Sequence, residues 1–419
     1  MTPDVTLTAT LNRPQYPALP TEQVAYIYIE AQPAANLPTS PSSAPLNLAF
    51  VLDRSGSMGG QPIRDLKQAV KIIIEQLNPH DIVSVIIFDD TADIILPSQP
   101  VTDKDNLLNK IDMIDERGGT QMSSGMEAGL AQLQQGMGNG RVNRMILLTD
   151  GETWEDSDYC LQLAQQAGQM GIPITALGLG EDWNLTLLTN LASASGGSCD
   201  YIDTPEKIAT TFQTVVTAMQ KTVIANAHLI LRLVAGVHPR TVWRVTPLIE
   251  RLDHHVLSER DVQLSLGELQ QKGQAVLVEL TFPPRPAGLY RLAQVELRYD
   301  IPATNQQEQK TQQDMMIQFT ANPAEAQAVN GRIMNIIEKV TAFKLQTQAL
   351  DEAALGNMDR ATRKLQAAAT RLLNLGEAEM AQEAQEAATQ MAAGQPLSSK
   401  ATKKLHAVTR KLDMRDLIP

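Results

Sequence analysis

A chain of 419 residues exceeds the usual size of one hydrophobic core, so we expect two or three domains. Hydrophobic residues make up 43% of the sequence, as in an ordinary globular protein, and no apolar run approaches the roughly 20 residues that cross a bilayer. The net charge of −12 argues against nucleic-acid binding, because affinity for phosphate backbones comes mainly from clustered Lys and Arg.

The N-terminus and the cysteines indicate the compartment. The first residues, MTPDVTLTATLNRPQ, lack the basic start and the apolar segment of a secretory signal. Cys160 and Cys199 are the two cysteines, and a chain of this length that depended on disulfides would carry more. We therefore predict free thiols and a cytoplasmic protein.

The first 45 residues predict two strands and a linker. VTLTATLN (5–12) alternates polar and apolar residues, and VAYIYIE (24–30) is rich in β-branched and aromatic residues. Two strands alone are marginal in water, so we expect this pair to join a sheet formed elsewhere. The segment 31–45 carries four prolines, which is typical of a linker.

From Leu46 onwards, apolar runs alternate with helical stretches. LNLAFVL, IVSVIIF, NRMILLT and IPITALGLG are nearly continuous apolar runs, as expected for parallel strands covered on both faces. Residues 46–220 therefore predict a doubly wound, mainly parallel α/β domain. Strand patterns without helices then return at 221–320 and predict an antiparallel β-sandwich.

The N-terminal strands fit that sandwich, so the α/β domain is predicted to be inserted within it. Residues 321–419 change to a helical period, with breaks at Gly356-Asn357, Gly376 and Gly394, and predict a helical domain of Ala-rich hairpins. The predicted organisation is therefore strands of the β domain at 1–30, a linker at 31–45, the α/β domain at 46–220, the β-sandwich at 221–320 and the helical domain at 321–419.

The stretch FVLDRSGSMGG (50–60) ends an apolar strand in an aspartate. Asp53 is thus predicted at the carboxyl end of the first core strand, where open α/β sheets bind their ligands. Ser55 and Ser57 share its face of an extended backbone, because successive side chains alternate. These groups could form a cation cage, a nucleophile, a phosphate cradle or a helix cap.

Two later loops add oxygen atoms at the same predicted edge. RGGTQM (117–122) presents the hydroxyl of Thr120, and ILLTDGE (146–152) ends another apolar strand in Asp150. Three loops would then supply two carboxylates and three hydroxyls, without thiols or imidazoles. Such a set suits a hard divalent cation that keeps some waters, which predicts Mg²⁺ or Mn²⁺, with Ca²⁺ a poorer match.

These three motifs, DRSGSM (53–58), GGT (118–120) and TDG (149–151), together resemble a von Willebrand factor A domain with its metal-ion-dependent adhesion site. The family pattern D-x-S-x-S, distal Thr and distal Asp is matched at all five positions. The resemblance covers residues 46–220, and the flanking segments resemble multidomain bacterial A-domain proteins only loosely.

The resemblance implies a role for each residue. Ser55, Ser57 and Thr120 would bind the metal directly or nearly so, while Asp53 and Asp150 would act from outside, often through water. An acidic side chain of a partner protein would complete the metal's shell. The resemblance thus implies a non-enzymatic protein-binding module.

The surroundings of this site predict a contact surface for the partner. Gly119, Glu152 and Trp154 are predicted to form its rim, since aromatic residues such as Trp154 are enriched at interface hot spots. By analogy at the level of the family, an AAA-type ATPase or a kinase and phosphatase signalling system is a candidate partner. The residues do not select among these candidates.

Enzymatic alternatives fit less well. A metal-dependent phosphohydrolase using Asp53 is the alternative hypothesis, although the phosphatase pattern requires a second aspartate where Ser55 stands. A serine nucleophile needs G-x-S-x-G on a strand-to-helix turn, and here Gly56 directly precedes Ser57. The sequence contains no GxxxxGK[ST], so the chain does not resemble a P-loop nucleotidase.

Overall fold

The computed structural model describes residues 3–37, 45–138, 140–151, 153, 156–395, 397–398, 401–403, 405–406 and 410. Three structural units follow from these residues: an α/β domain, a β-sandwich and a set of C-terminal helices. Among the described residues, no helix combines the length and the apolar content that crossing a membrane requires.

The N-terminal segment forms three strands, which are β1 (Val5–Leu11), β2 (Gln15–Pro17) and β3 (Gln23–Pro33). β1 and β3 pair antiparallel. β3 is longer than the predicted strand and takes in the first three residues of the predicted linker, because Ala31 pairs with both Leu7 and Gln274. Residues 38–44 of that linker lie outside the described residues.

The α/β domain has six strands in the order β6-β5-β4-β7-β8-β9. The strands are β4 (Leu46–Asp53), β5 (Ile82–Phe88), β6 (Ala92–Pro100), β7 (Val142–Thr149), β8 (Ile174–Leu179) and β9 (Ser198–Ile202). The helices are α1 (Gln61–Gln76), α2 (Lys104–Asp112), α3 (Met122–Gly136), α4 (Ser157–Gln169), α5 (Leu185–Ser195) and α6 (Ile208–Gln220). All pairings in this sheet are parallel except that of β5 with the edge strand β6.

Two hydrophobic cores cover the two faces of this sheet. Leu48, Phe50 and Leu52 of β4 pack towards α1, α2 and α6, whereas Ala49 and Val51 pack towards α3, α4 and α5. Because successive side chains of β4 enter opposite cores, the strand must be apolar at every position. The continuous apolar runs of the sequence therefore have a direct structural cause.

The sandwich is completed by eight strands after the α/β domain. These are β10 (Thr222–Leu233), β11 (His238–Thr246), β12 (Glu250–Leu252), β13 (His254–Val256), β14 (Asp261–Gln270), β15 (Gln274–Phe282), β16 (Gly288–Ile301) and β17 (Gln306–Thr320). One sheet has the order β1-β3-β15-β11-β12 and the other β13-β14-β10-β16-β17-β2. One shared core fills the space between the two sheets.

The fold class predicted from the sequence is confirmed. The N-terminal strands β1 and β3 join β15, and β2 joins β17, so the α/β domain is inserted within the sandwich. The sandwich is antiparallel with one exception, since the short strand β2 pairs parallel with β17. β2 is the edge strand of the second sheet, beside β17. It was not predicted, because three residues give no periodic signal.

The C-terminal helices are α7 (Gly331–Ala354), α8 (Met358–Asn374) and α9 (Ala378–Ala392). The breaks between them fall at Gly356 and Gly376, which both adopt positive φ, as the sequence predicted from glycine. Ile336, Val340 and Phe343 of α7 pack on the outer face of the first sandwich sheet. The segment after α9 reaches both other units, since Arg410 contacts Glu250 at 3.3 Å and donates to the carbonyl of Cys199 at 3.0 Å.

Candidate functional site

Asp53, the last residue of β4, has no exposed surface. One of its carboxylate oxygens, Oδ1, accepts a hydrogen bond from the amide of Ser55 at 2.8 Å, and Oδ2 accepts one from the hydroxyl of Thr149 at 2.6 Å. Asp53 therefore fixes the start of the loop that carries Ser55 and Ser57, here called the serine loop. It also joins this loop to the end of β7, the neighbouring strand.

This carboxyl group lies in an unfavourable place for a charge. Burial raises the pKa of Asp53 to about 6, and the nearby carboxyl of Asp150 also raises it, against the hydrogen bonds from Thr149 and Ser55, which lower it. A buried carboxylate that is stabilised by hydroxyl and amide groups alone has charge left to share with a cation.

Three oxygen atoms from two loops meet above Asp53. Ser55 Oγ lies 3.0 Å from Ser57 Oγ, and the Ser57 hydroxyl donates to Asp150 Oδ1 at 2.8 Å. Ser55 Oγ lies 3.4 Å from the same Asp150 oxygen. Ser57 is exposed, whereas Ser55 is buried, so this triangle of oxygens opens to solvent on the side of Ser57.

The carboxyl group of Asp150 is perturbed in the same direction as that of Asp53. Burial raises the pKa of Asp150, the carboxylate of Asp182 raises it further, and hydrogen bonds from Ser57 and Ser55 lower it. Asp150 follows β7 directly, and Asp53 ends β4 beside it, so the parallel pairing of the two strands brings both carboxylates to one edge.

Thr120 belongs to the third loop, which connects α2 to α3. A Cβ atom built on Gly151 would lie 3.5 Å from Thr120 Oγ1, which places this hydroxyl next to the residue that follows Asp150. The loop is also bonded to the serine loop, because the Gly56 amide donates to the Gly118 carbonyl at 3.2 Å. All five predicted positions thus lie on adjacent loops at one edge of the sheet.

The predicted rim is described only in part. Gly119 is half-buried, and a Cβ atom there would collide with the carboxylate of Asp90, so the loop needs glycine for the close approach. Glu152 and Trp154 lie outside the described residues.

The oxygen triangle fits a small, hard cation. An octahedral Mg²⁺ with bonds of about 2.0–2.1 Å holds neighbouring ligands roughly 3 Å apart. The three separations of 2.8, 3.0 and 3.4 Å match one face of such an octahedron. Ser55, Ser57 and Asp150 could therefore hold the ion, and Thr120 Oγ1 lies next to Gly151, the residue that follows Asp150.

Thr149 was missed by the sequence analysis. Its hydroxyl donates to Asp53 and also lies 3.3 Å from the amide of Gly151, so it joins the two carboxylate-bearing loops. Thr is common in strands, and its place before Asp150 in TDG was the available signal.

Comparison with known families identifies two regions of the chain. Residues 47–215 match the model of the von Willebrand factor type A (vWA) domain. The chain contains a vWA domain. Residues 331–415 match a second model, described as the Sll0103-like, C-terminal alpha-helical domain.

Relatives share different parts of the chain. The uncharacterized protein sll0103 of Synechocystis is 34% identical over 268 residues, which is 62% of this chain and 63% of that protein. Escherichia coli YfbK is 26% identical over 38% of this chain and 28% of its own length. Human inter-alpha-trypsin inhibitor heavy chain H4 is 30% identical over 38% of this chain and 18% of its own length. The chain thus spans less than two thirds of each of these relatives.

Two solved structures share the architecture around the vWA domain as well. The von Willebrand factor type A protein from Catenulispora acidiphila superposes with a TM-score of 0.81 over 98% of this chain and 97% of its own, at 18% identity. The ArnB paralog VWA2 from Sulfolobus acidocaldarius gives a TM-score of 0.66 over 97% and 98%, at 14% identity. At these identities the likeness concerns the fold of the three units.

Proposed function

We propose that the vWA domain carries a metal-ion-dependent adhesion site that binds Mg²⁺ or Mn²⁺ and, through the ion, an acidic side chain of a partner protein. The observation that carries the proposal is the triangle of Ser55 Oγ, Ser57 Oγ and Asp150 Oδ1, whose separations suit one face of an octahedral ion. The triangle opens to solvent beside the exposed Ser57.

Each residue has a distinct task in this proposal. Ser55, Ser57 and Thr120 bind the ion with uncharged oxygens. Asp53 accepts hydrogen bonds from the Ser55 amide and the Thr149 hydroxyl. Asp150 Oδ1, which lies beside both serine hydroxyls, faces the ion directly or through one water. The ion, when bound, supplies an electron-poor position for one more oxygen. Because few carboxylates bind it directly, a negatively charged oxygen from outside is the preferred additional ligand.

The position of Asp53 argues against the alternative of a phosphohydrolase. A carboxylate that accepts a phosphoryl group must expose an oxygen to its substrate. Asp53 is fully buried, and both its oxygens accept hydrogen bonds from the protein. We therefore infer a binding protein without an enzymatic step at this site.

The other units would frame the metal site or bind further components. The whole-chain likeness to a vWA protein of Catenulispora supports a multidomain bacterial type, in which the sandwich and the helices accompany the vWA domain. The cytoplasmic location stays a prediction. The same is true of an AAA-type ATPase or a kinase and phosphatase system as a partner.

Metal binding is tested by isothermal titration of the EDTA-treated protein with Mn²⁺. We expect one site, and we expect Ser57→Ala to weaken it at least about tenfold. Ser193→Ala is the matched control, since its hydroxyl bonds the carbonyl of Arg251 away from the site. Equal Mn²⁺ affinity in the wild type and Ser57→Ala would show that the assigned ligands are wrong.

Partner capture is tested separately by affinity enrichment from the native extract, in Mg²⁺ and in EDTA. We expect a protein that is retained only with Mg²⁺ and is lost with Ser57→Ala but not with Ser193→Ala. Replacing its contacting Asp or Glu by Asn or Gln should release it. Retention that ignores EDTA would remove the metal from the mechanism.

A further inference from the structure

Arg54, the residue between Asp53 and Ser55, has a buried side chain on the opposite face of the strand end. Its Nε lies 2.7 Å from Asp89 Oδ2, and its Nη2 lies 2.5 Å from Asp93 Oδ2. The side chain is 6% exposed, and that of Asp89 is 8% exposed. Arg54 is therefore directed away from the metal-binding oxygens and towards the end of β5 and the start of β6.

The backbones of these same two residues hold the Thr120 loop. The Arg117 amide donates to the Arg54 carbonyl at 2.7 Å, and the Gln121 amide donates to the Asp89 carbonyl at 2.6 Å. Residues 117 and 121 bracket Thr120. Both ends of the third loop are thus attached to residues whose side chains form one ion pair.

The serine loop shares this attachment. The Arg54 amide donates to the Phe88 carbonyl at 3.0 Å, next to Asp89. Asp89 is itself fixed, since its Oδ1 accepts the amide of Thr91 at 2.9 Å. The ion pair therefore connects the loop that carries Ser55 and Ser57 with the anchor of the loop that carries Thr120.

A planar guanidinium is suited to this task. It presents several N–H donors at fixed angles and can bond Asp89 and Asp93 at the same time, whereas a lysine ammonium is a flexible point charge. A buried pair that is bonded in this way defines one geometry, because each alternative leaves a buried charge without its partner.

We propose that Arg54 is a positioning residue of the metal site, and that its ion pairs with Asp89 and Asp93 together set the position of Thr120 relative to Ser55 and Ser57. The proposal rests on the proposed metal site. Arg54 acts through Thr120 and does not itself touch the ion.

The test is a double-mutant cycle on Mn²⁺ affinity, measured by calorimetry well below the unfolding temperature. Arg54→Lys should weaken Mn²⁺ binding about 10- to 100-fold, as is typical for residues that support metal ligands. In a Thr120→Ala background, the same substitution should have little further effect, because the residue through which it acts is gone. Additive effects would overturn the proposal.

Arg144→Lys is the matched control. Arg144 lies in the same domain as Arg54 but at the other end of the sheet. Its side chain is 12% exposed and pairs with Glu268 of the sandwich at 2.8 Å. It should lower the unfolding temperature and leave Mn²⁺ affinity unchanged. Equal losses of affinity in both variants would reduce Arg54 to a structural residue and overturn the proposal.

Asp93→Asn keeps the proposal testable should Arg54→Lys fail to fold. The Asp93 side chain is 53% exposed, so this variant frees one end of the guanidinium without leaving a buried charge. We expect a two- to fivefold loss of Mn²⁺ affinity, corresponding to about 0.4–1 kcal/mol for an exposed pair. Unchanged affinity in Asp93→Asn contradicts the proposal. Failure of the wild type to bind Mn²⁺, or full binding by Ser57→Ala, would instead refute the metal site itself.

Discussion

Buried charged groups are paired differently at the two edges of the parallel sheet. At the amino edge, Arg144 of β7 forms an ion pair with Glu268 of the sandwich at 2.8 Å, and Asn47 of β4 donates to Asn143 Oδ1 at 2.8 Å. The two charges are paired within the chain, although Arg144 Nε and Glu268 Oε1 have no hydrogen-bond partner among the described residues. This edge is therefore a structural joint between two units.

At the carboxyl edge, the charges of two carboxylates are not paired in this way. Asp53 and Asp150 accept hydrogen bonds from hydroxyl and amide groups, and no Lys or Arg among the described residues pairs with either. Arg54 lies between Asp53 and Ser55 in the chain, yet its charge goes to Asp89 and Asp93. At the amino edge of the sheet, charges are thus neutralised within the chain. At the carboxyl edge, the charges of Asp53 and Asp150 are available to a bound cation.

Removing a charge at the amino edge should cost the most stability. Glu268→Gln leaves Arg144 buried without its counter-ion, so we expect the free energy of unfolding to fall by about 3 kcal/mol. Mn²⁺ affinity should stay within twofold of the wild type. Urea denaturation and calorimetry measure the two quantities, and a loss of metal affinity would contradict the separation of the edges.

Removing a charge at the carboxyl edge should have the opposite profile. Asp53→Asn keeps the shape and the acceptor for the Ser55 amide but loses the charge that attracts the ion. We expect Mn²⁺ affinity to fall about 100-fold, which is about 2.7 kcal/mol of binding free energy. Far-ultraviolet circular dichroism should show an unchanged fold. Affinity within threefold of the wild type would remove Asp53 from the site.

Substituting two glycines of helix α3 by alanine introduces a steric clash near each edge, so the two variants allow the edges to be compared. A Cβ on Gly125 of α3 would lie 2.6 Å from Phe88 Cδ1, and one on Gly136 would collide with the Asn47 side chain. Each substitution to Ala should cost about 1–2 kcal/mol of stability, after the gain in helix propensity. Gly125→Ala should also weaken Mn²⁺ binding severalfold, because α3 begins just after Thr120. An equal effect of Gly136→Ala on affinity would contradict this.

The sequence predicted the carboxyl edge far better than the amino edge. Asp53 and Asp150 each end or follow an apolar run, and parallel strands place such ends side by side, so local pattern was sufficient. The Arg144–Glu268 pair joins residues of two domains, and nothing local to either residue indicates the partner. It depends on how the sandwich docks, which periodicity does not encode.

The same limit applies within the site. Arg54 lies inside the recognised motif, but its partners Asp89 and Asp93 lie 35 and 39 residues further along the chain. Asp89 and Asp90 directly follow the apolar run IVSVIIF, and nothing in that stretch indicates which of the two is buried. The structure shows Asp89 as a buried counter-ion and Asp90 packed against Gly118 and Gly119.

A further predicted effect is a difference in pH dependence between the wild type and Asp53→Asn in EDTA. Burial raises the pKa of Asp53 to about 6 in the folded chain, while an unfolded aspartate titrates near 3.9. Between these two values the folded state binds more protons, so the contribution of Asp53 to stability falls as the pH rises from about 4 to 6. Below this window both states are protonated, and above it both are ionised.

Other carboxylates make the total stability depend on pH in their own ways, so the difference between the two proteins is the quantity to measure. The stability of the wild type relative to Asp53→Asn should decrease by no more than about 1.4 kcal/mol per pH unit across the window and stay flat above it. Added Mn²⁺ should reverse the difference above pH 6, because the ion binds the ionised site and stabilises the folded state. A flat difference in EDTA would mean that Asp53 is neutralised within the chain, as the charges of the amino edge are.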